Sequence, residues 1–214
     1  MLNIKKFPLG MIAANCYVVW SDESKKGVMI DPGGYSPALE AYIRDNGIAI
    51  DKILLTHGHY DHIGGLYEAI KLTGAKVYIH KDDADCLTSA NANISVMFGM
   101  SASFDPADQF LKDGDEIDIA DGYTLKVIHT PGHTPGGVCF YCEKAKVLFS
   151  GDTLFCASIG RTDFPGGDYH ILMDSLNRLM RLDDDVKVYP GHNANTDIGY
   201  ERTHNPFIAR STLI

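Results

Sequence analysis

Four short apolar segments of this 214-residue chain each run straight into a polar cluster carrying histidine or aspartate. Ile53-Leu54-Leu55 leads into Thr56-His57-Gly58-His59-Tyr60-Asp61-His62, and Val127-Ile128-His129 into Thr130-Pro131-Gly132-His133-Thr134-Pro135-Gly136-Gly137. Val147-Leu148-Phe149 is followed by Gly151-Asp152-Thr153, and Val188-Tyr189 by Pro190-Gly191-His192. The end of a strand is a rigid place from which to aim a side chain, and loops carried there hold a disproportionate share of catalytic residues. Four such ends, all bearing His or Asp, predict one convergent site, and any fold for this chain must bring those ends together.

The apolar segments are short and rich in β-branched residues, as strands are. They include Cys16–Trp20, Val28–Ile30, Lys52–Leu55, Lys76–Ile79, Leu125–Ile128, Val138–Tyr141, Lys146–Phe149 and Val186–Tyr189. Helical patterns lie between them. Pro37 to Asn46 has Ser36 as its cap and Gly47 as its stop, Leu66 to Leu72 stops near Gly74, and Lys81 to Leu87 is short. His170 to Leu182 places Ile171, Leu172, Ser175, Leu176, Leu179 and Leu182 on one face, which should pack on a sheet. Strands in two runs, with helices in both, predict an α+β chain of two sheets with helices outside. No linker or low-complexity tract interrupts residues 1–214, so a single domain is expected. Residues 88–106, rich in Ser, Asn, Met and Phe, carry no readable period.

Neutral imidazole and carboxylate suit zinc, iron or manganese, whereas thiolate would favour a closed structural zinc site. His57, His59 and His133 make a three-histidine set with a position left for water. Asp61, His62 and His192 make a second set, and Asp152, with two oxygens, is able to bridge them. Two metals about 3.5–4 Å apart can hold a hydroxide between them and lower its pKa toward neutrality. Three histidines and an aspartate within six residues are rare outside metal sites.

The pattern His57-x-His59-x-Asp61-His62, followed in order by His133, Asp152 and His192, resembles the metallo-β-lactamase superfamily, and within it the glyoxalase II-like short hydrolases. The likeness extends to Asp31-Pro32-Gly33-Gly34 and to Gly160–Gly167. It implies a four-layered αββα sandwich with two divalent metals between the sheet edges, zinc first and iron or manganese as alternatives. It implies an acyl-thiol substrate such as S-lactoylglutathione, attacked by a metal-bridging hydroxide that Asp61 helps to orient. Zinc β-lactamases usually carry cysteine or serine where this chain has Asp152, so the resemblance points away from a β-lactamase. Glyoxalase II-like proteins place a basic residue where Arg161 stands, to hold glutathione. Arg161 is therefore a candidate for binding a substrate carboxylate, with an ion pair to a neighbour such as Asp163 as the other reading. The C-terminal helical extension of full-length glyoxalase II is not expected here, and the residues after His192 depart from the Gly-Pro of the short hydrolases. Iron-dependent persulfide dioxygenation, with His57, His133 and Asp152 holding one iron, or lactone or other ester hydrolysis, are the alternatives on the same fold.

Other groups are read as supporting. Asp31 is expected to brace backbone or orient a ligand, and His129 to be a strand residue, at most orienting a ligand histidine. His80, His170 and His204 are read as hydrogen-bonded or surface residues. Cys139 and Cys142 are three apart on a strand and face opposite ways. Five cysteines, odd in number and irregularly spaced, together with no readable signal peptide, suggest a reducing, cytoplasmic setting. A formal net charge of -9 argues against nucleic acid or anionic membrane as a partner.

Overall fold

The computed structural model describes residues 1–209. The first sheet holds six strands in chain order: β1 (Leu2–Leu9), β2 (Ala14–Ser21), β3 (Lys26–Ile30), β4 (Ala49–Leu54), β5 (Lys76–His80) and β6 (Gln109–Leu111). β1 to β3 pair antiparallel, and β3 to β6 pair parallel. Parallel neighbours need crossovers, which here include the helices α1 (Pro37–Asp45), α2 (Tyr60–Ile63), α3 (Leu66–Thr73) and α4 (Asp85–Thr88). In the second sheet β7 (Glu116–Ala120), β8 (Tyr123–His129), β9 (Val138–Cys142) and β10 (Val147–Gly151) form an antiparallel meander. A small hairpin follows, β11 (Leu154–Phe155) with β12 (Ser158–Ile159). Helix α5 (Tyr169–Leu179) then crosses to β13 (Lys187–Pro190), parallel to β10, and β14 (Thr196–Asp197) and α6 (Ile198–His204) complete the described chain.

Three apolar clusters show why the sheets stack. Along β2, Tyr17 and Val19 point into the space between the sheets while Cys16, Val18 and Trp20 point to the helices outside the first sheet. In the second sheet Val138, Phe140 and Cys142 face inward and Cys139 faces out, as do Phe149 and Leu148 respectively. Strands buried on both faces read as unbroken apolar runs, which is why these segments lack polar alternation. The layers are helices, sheet, sheet, helices: the αββα sandwich. Cys139 and Cys142 lie in different layers, as their spacing requires.

Helix α1 is capped by Ser36, whose hydroxyl accepts the Leu39 N–H at 3.4 Å. Asp168 caps α5 by accepting the Ile171 N–H at 3.0 Å. That helix ends three residues earlier than the periodicity suggested. Arg181 and Leu182 bond back to the carbonyls of Arg178 and Leu179 in tightened turns rather than extending the α ladder. Its buried stripe is Leu172, Ser175, Leu176 and Leu179, whereas Ile171 is 45% exposed and does not belong to it. The 81–87 segment divides into a 3₁₀ turn, Lys81–Asp83, and α4. The lysine-bearing β1 and the 88–106 segment with its short 3₁₀ turn, Ser95–Phe98, were not legible as elements. Among the described residues no helix is long and apolar enough to cross a membrane.

Leu176 is fully buried between α5 and the second sheet. Leu176→Ala should cost about 2–5 kcal/mol, read as a lower urea midpoint with an unchanged denaturant slope.

Candidate metal centre

The topology aims the polar clusters at one edge. β3 and β4 run parallel, so Asp31 and the Thr56–His62 segment leave the first sheet on the same side. β8 and β10 each pair antiparallel with β9, and β13 lies parallel to β10, so His133, Asp152 and His192 all follow strand ends that point one way. The two sheets therefore deliver all seven expected residues to a common rim. Gly191 is required there, because a methyl group on it would meet Asp152 Oδ1 and the His62 ring.

Neighbouring groups set the direction of each ring. His133 Nδ1 lies 2.7 Å from the Arg161 carbonyl, and His62 Nδ1 lies 3.0 Å from Asp31 Oδ2. An imidazole that donates at Nδ1 presents its Nε2 lone pair when neutral. His57 Nδ1 meets Thr56 Oγ1 at 3.1 Å, and its Nε2 is buried with no hydrogen-bond partner. His59 is turned the other way, its Nδ1 lying 3.0 Å from His133 Nε2. His57, His59 and His133 thus form one group able to hold a metal ion, and Asp61, His62 and His192 form another. Asp152 lies between them. Its Oδ2 is 3.6 Å from both His133 Nε2 and His192 Nε2, and its Oδ1, 3.3 Å from His62 Nε2, has no hydrogen-bond partner.

The donor set fits divalent cations. Burial pushes the His57 imidazole well below its usual range, with the nearby histidines adding to the shift, and lowers His59 to about 3. Both therefore offer lone pairs at neutral pH. Burial also opposes charge on His62, yet Asp61 and Asp152 outweigh it and raise that ring well above its usual value. Burial likewise opposes the Asp152 carboxylate, and His62 and its neighbours still hold it well down. Carboxylates that favour a cationic imidazole make a field in which a divalent ion is also favoured.

The rim opens into a cleft of about 600 Å³, lined by His59, Asp61, His133, Asp152 and His192 on the metal-set side. Its other walls include Ile12, Ile94, Phe98, Phe155 and Phe164, with Asn193 beside His192. Arg161 also lines it, but Nε and Nη2 bond both oxygens of Asp163 at 2.6 Å, and the guanidinium sits 3.9 Å over the Phe164 ring. Arg161 thus faces the cleft and is at the same time ion-paired to Asp163.

Residues 9–192 match the family model of the metallo-beta-lactamase superfamily. The chain belongs to that superfamily. It is 36% identical over 210 residues to hydroxyacylglutathione hydrolase GloC of Haemophilus influenzae, spanning 97% of this chain and 98% of that one. A crystal structure of BLEG-1 B3 metallo-beta-lactamase superposes with a TM-score of 0.91 at 39% identity, covering 96% of this chain and 99% of the other. A di-iron-bound form of TTHA1623 gives 0.84 at 34% identity, covering 95% and 99%.

As a superfamily member the chain braces its metal loops through groups that were partly legible. Asp31 behaves as expected, accepting Thr56 N–H at 2.7 Å and the Thr56 hydroxyl at 2.6 Å besides holding His62. Asn15 and Tyr17 of β2 reach across the sheets to the Pro190 carbonyl at 2.9 and 2.6 Å, steadying the turn before His192. His129 touches no ligand histidine; its Nε2 lies 2.9 Å from the Pro135 carbonyl. The residue that sequence reasoning missed is Asp83. It is 1% exposed and accepts Gly58 N–H at 3.1 Å, the Thr134 hydroxyl at 2.8 Å and Gly136 N–H at 2.6 Å. It therefore ties the His57–His59 loop to the His133 loop. Outer groups that orient ligands commonly matter 10–100-fold for metal affinity. Asp83→Ala should weaken metal retention by about that factor, measured by competition with a chromophoric chelator.

Proposed function

We propose that the chain is a metal-dependent hydrolase acting on an acyl thioester such as S-lactoylglutathione. The observation that carries this reading is the inventory of the cleft: its ionisable side chains are His59, Asp61, His133, Asp152 and His192 of the metal set, and Arg161. Among the described residues that line it, no separate acid stands ready to protonate a poor leaving group. A thioester needs none, because a thiolate leaves readily at neutral pH: free thiols have a pKa of about 8.5.

His57, His59 and His133 would hold one ion, and Asp61, His62 and His192 a second, with Asp152 shared between them. A bound pair of divalent ions lowers the pKa of water and polarises a carbonyl. The chain's own residues do the rest. Asp31 and the Arg161 carbonyl keep the Nδ1 protons of His62 and His133 turned outward. Asp61, in the first turn of α2 with Oδ2 3.0 Å from His192 Nε2, faces the cleft and would orient the attacking oxygen. Ile12, Phe98 and Phe155 exclude water from the acyl portion, and Arg161 would meet a carboxylate of the thiol carrier.

Zinc-reconstituted protein should release glutathione from S-lactoylglutathione, and a chelated control should not. His59→Ala or Asp152→Ala should remove most bound metal and most turnover. Full turnover by metal-stripped His59→Ala protein is the result that rejects this reading. Arg161→Ala should raise KM roughly ten-fold with a smaller change in kcat, the order expected for loss of one charge-assisted pair, read from steady-state kinetics.

Likeness to a B3 metallo-beta-lactamase favours a second reading, β-lactam opening in the same cleft. Nitrocefin hydrolysis without thioester turnover would select it. Oxygen uptake with glutathione persulfide by iron-loaded protein would instead select the dioxygenase.

A further inference from the structure

The cleft over the metal rim does not end at its apolar wall. Ile12, Asp61 and Phe98 also line a second chamber of about 210 Å³. Met11, Tyr35 and Tyr60 line the rest of it, together with the bare backbone of glycines such as Gly33 and Gly64. Met11 and Ile12 sit in the turn between β1 and β2, and Phe98 ends the 3₁₀ turn of the 88–106 segment. Tyr60 joins that segment to α2: its N–H donates to the Asn93 carbonyl at 2.9 Å, and its ring lies 6.2 Å from that of Phe98.

The chamber suits apolar atoms. Among the described residues that line it, Asp61 of the metal set is the one charged side chain. Several of its polar groups are already engaged. The Gly33 N–H donates to the Asp31 carbonyl at 2.8 Å, the Gly64 N–H to the Tyr60 carbonyl at 2.7 Å, and the Tyr35 hydroxyl to Glu40 Oε2 at 3.0 Å. A polar ligand group placed there loses water and finds few new partners, whereas an alkyl or aryl group is stabilised by leaving water. Met11 is 74% exposed and Ile12 49%, so both have apolar surface free to be covered. Methionine, flexible and polarisable, adapts to chains of different shape.

The two sides of the site differ in charge. Arg161 adjoins the three-histidine set, its carbonyl on His133, whereas the chamber adjoins Asp61 of the second set. A thioester has two halves joined at the carbonyl carbon. Water adds to that carbon, the C–S bond breaks, and a carboxylic acid and a thiol are released. With a carboxylate of the thiol carrier at Arg161, the acyl half is directed to the Asp61 side. We propose, on the basis of the thioester-hydrolase reading, that the acyl group runs past Ile12 and Phe98 into this chamber, and that the preferred substrates carry an apolar acyl group longer than lactoyl. The volume supports this: 210 Å³ is about seven times that of a water molecule in the liquid, more than the methyl and hydroxyl of a lactoyl group fill. Met11, Ile12 and Tyr35 are then specificity-determining residues, acting on the acyl chain and not on the metals.

The test is a series of S-acyl glutathiones running from acetyl to octanoyl, given to zinc-loaded protein. A matching series of non-hydrolysable S-(2-oxoalkyl) glutathiones is titrated calorimetrically into metal-free protein. Over the first few methylenes, kcat/KM and the affinity of the thioethers should each rise about four-fold per methylene, the factor expected for burying a CH₂ group. Replacing Met11 and Ile12 together by Asn, at exposed turn positions, should flatten both slopes at least two-fold per methylene. Should that double variant not fold, Tyr35→Asn, 57% exposed in the native chain, takes its place with the same expectation. Turnover and binding that do not change with chain length overturn the chamber and leave the thioesterase reading standing, as do slopes that survive the substitutions unaltered. No turnover of any thioester in the series rejects the thioesterase reading and this proposal with it.

Discussion

Holding His57 Nε2, His59 Nδ1, His133 Nε2, His62 Nε2, His192 Nε2 and two carboxylates at one rim is unfavourable for the protein alone. Ring nitrogens crowd one another, as between His59 and His133 at 3.0 Å and between His62 and His192 at 3.3 Å. Buried carboxylates have little solvent to repay their desolvation. The rest of the fold has to supply rigidity enough to keep these groups apart from better partners. It does so directly beneath them. Tyr17 of the first sheet packs on Phe149 and Tyr189 of the second, with ring centroids 5.2 and 5.7 Å away, and its hydroxyl donates to the Pro190 carbonyl. The inter-sheet core and the metal rim are thus one connected object, and the sheets cannot slide without moving His192.

The same connection explains what could be read from the chain. Strands buried on both faces announce themselves as apolar runs, and glycine- and histidine-rich segments at their ends announce the site, so His57 through His192 were legible in order. Asp83 was not. It is one acid in Lys81-Asp82-Asp83-Ala84-Asp85, and nothing local distinguishes the one that turns inward. Its importance arises from contacts 25 and more than 50 residues away in sequence. Ile171 misled for a related reason: periodicity marks a helical stripe but does not say where the sheet beneath it ends. β1, the edge strand of its sheet, is mostly half-buried and lacks a consistent alternation.

The cleft walls show the limit most clearly. Ile94 and Phe98 come from the 88–106 segment, whose path depends on tertiary hydrogen bonds rather than on a period. Buried Asn93 donates to the carbonyls of Cys86 and Ala102 at 2.8 and 3.1 Å, and Ile94 takes a left-handed φ of 59°. A β-branched residue in that region is uncommon and has to be held there by its surroundings. Asn193, directly after His192, takes φ 65°, a conformation asparagine tolerates better than most residues. Asn193 thus turns the chain sharply after His192, and its carbonyl accepts from both Lys6 and Asn15.

Arg161 offers two different groups to the site, its backbone carbonyl and its guanidinium. The backbone carbonyl orients His133, while the guanidinium pairs with Asp163 and stacks on Phe164, whose ring in turn lies 5.6 Å from that of His59. The pair with Asp163 is more than half exposed on both sides, so it is weak in water and screened by salt. On the proposed function, a substrate carboxylate partly desolvated against the apolar walls would compete for the guanidinium on better terms than Asp163 does in solvent. On that reading the ion pair would be a pre-orienting rest position, because it holds a long, flexible side chain at the mouth of the cleft. A side-chain substitution at 161 removes that cation and leaves the carbonyl that turns His133, so loss of substrate affinity there need not carry loss of metal.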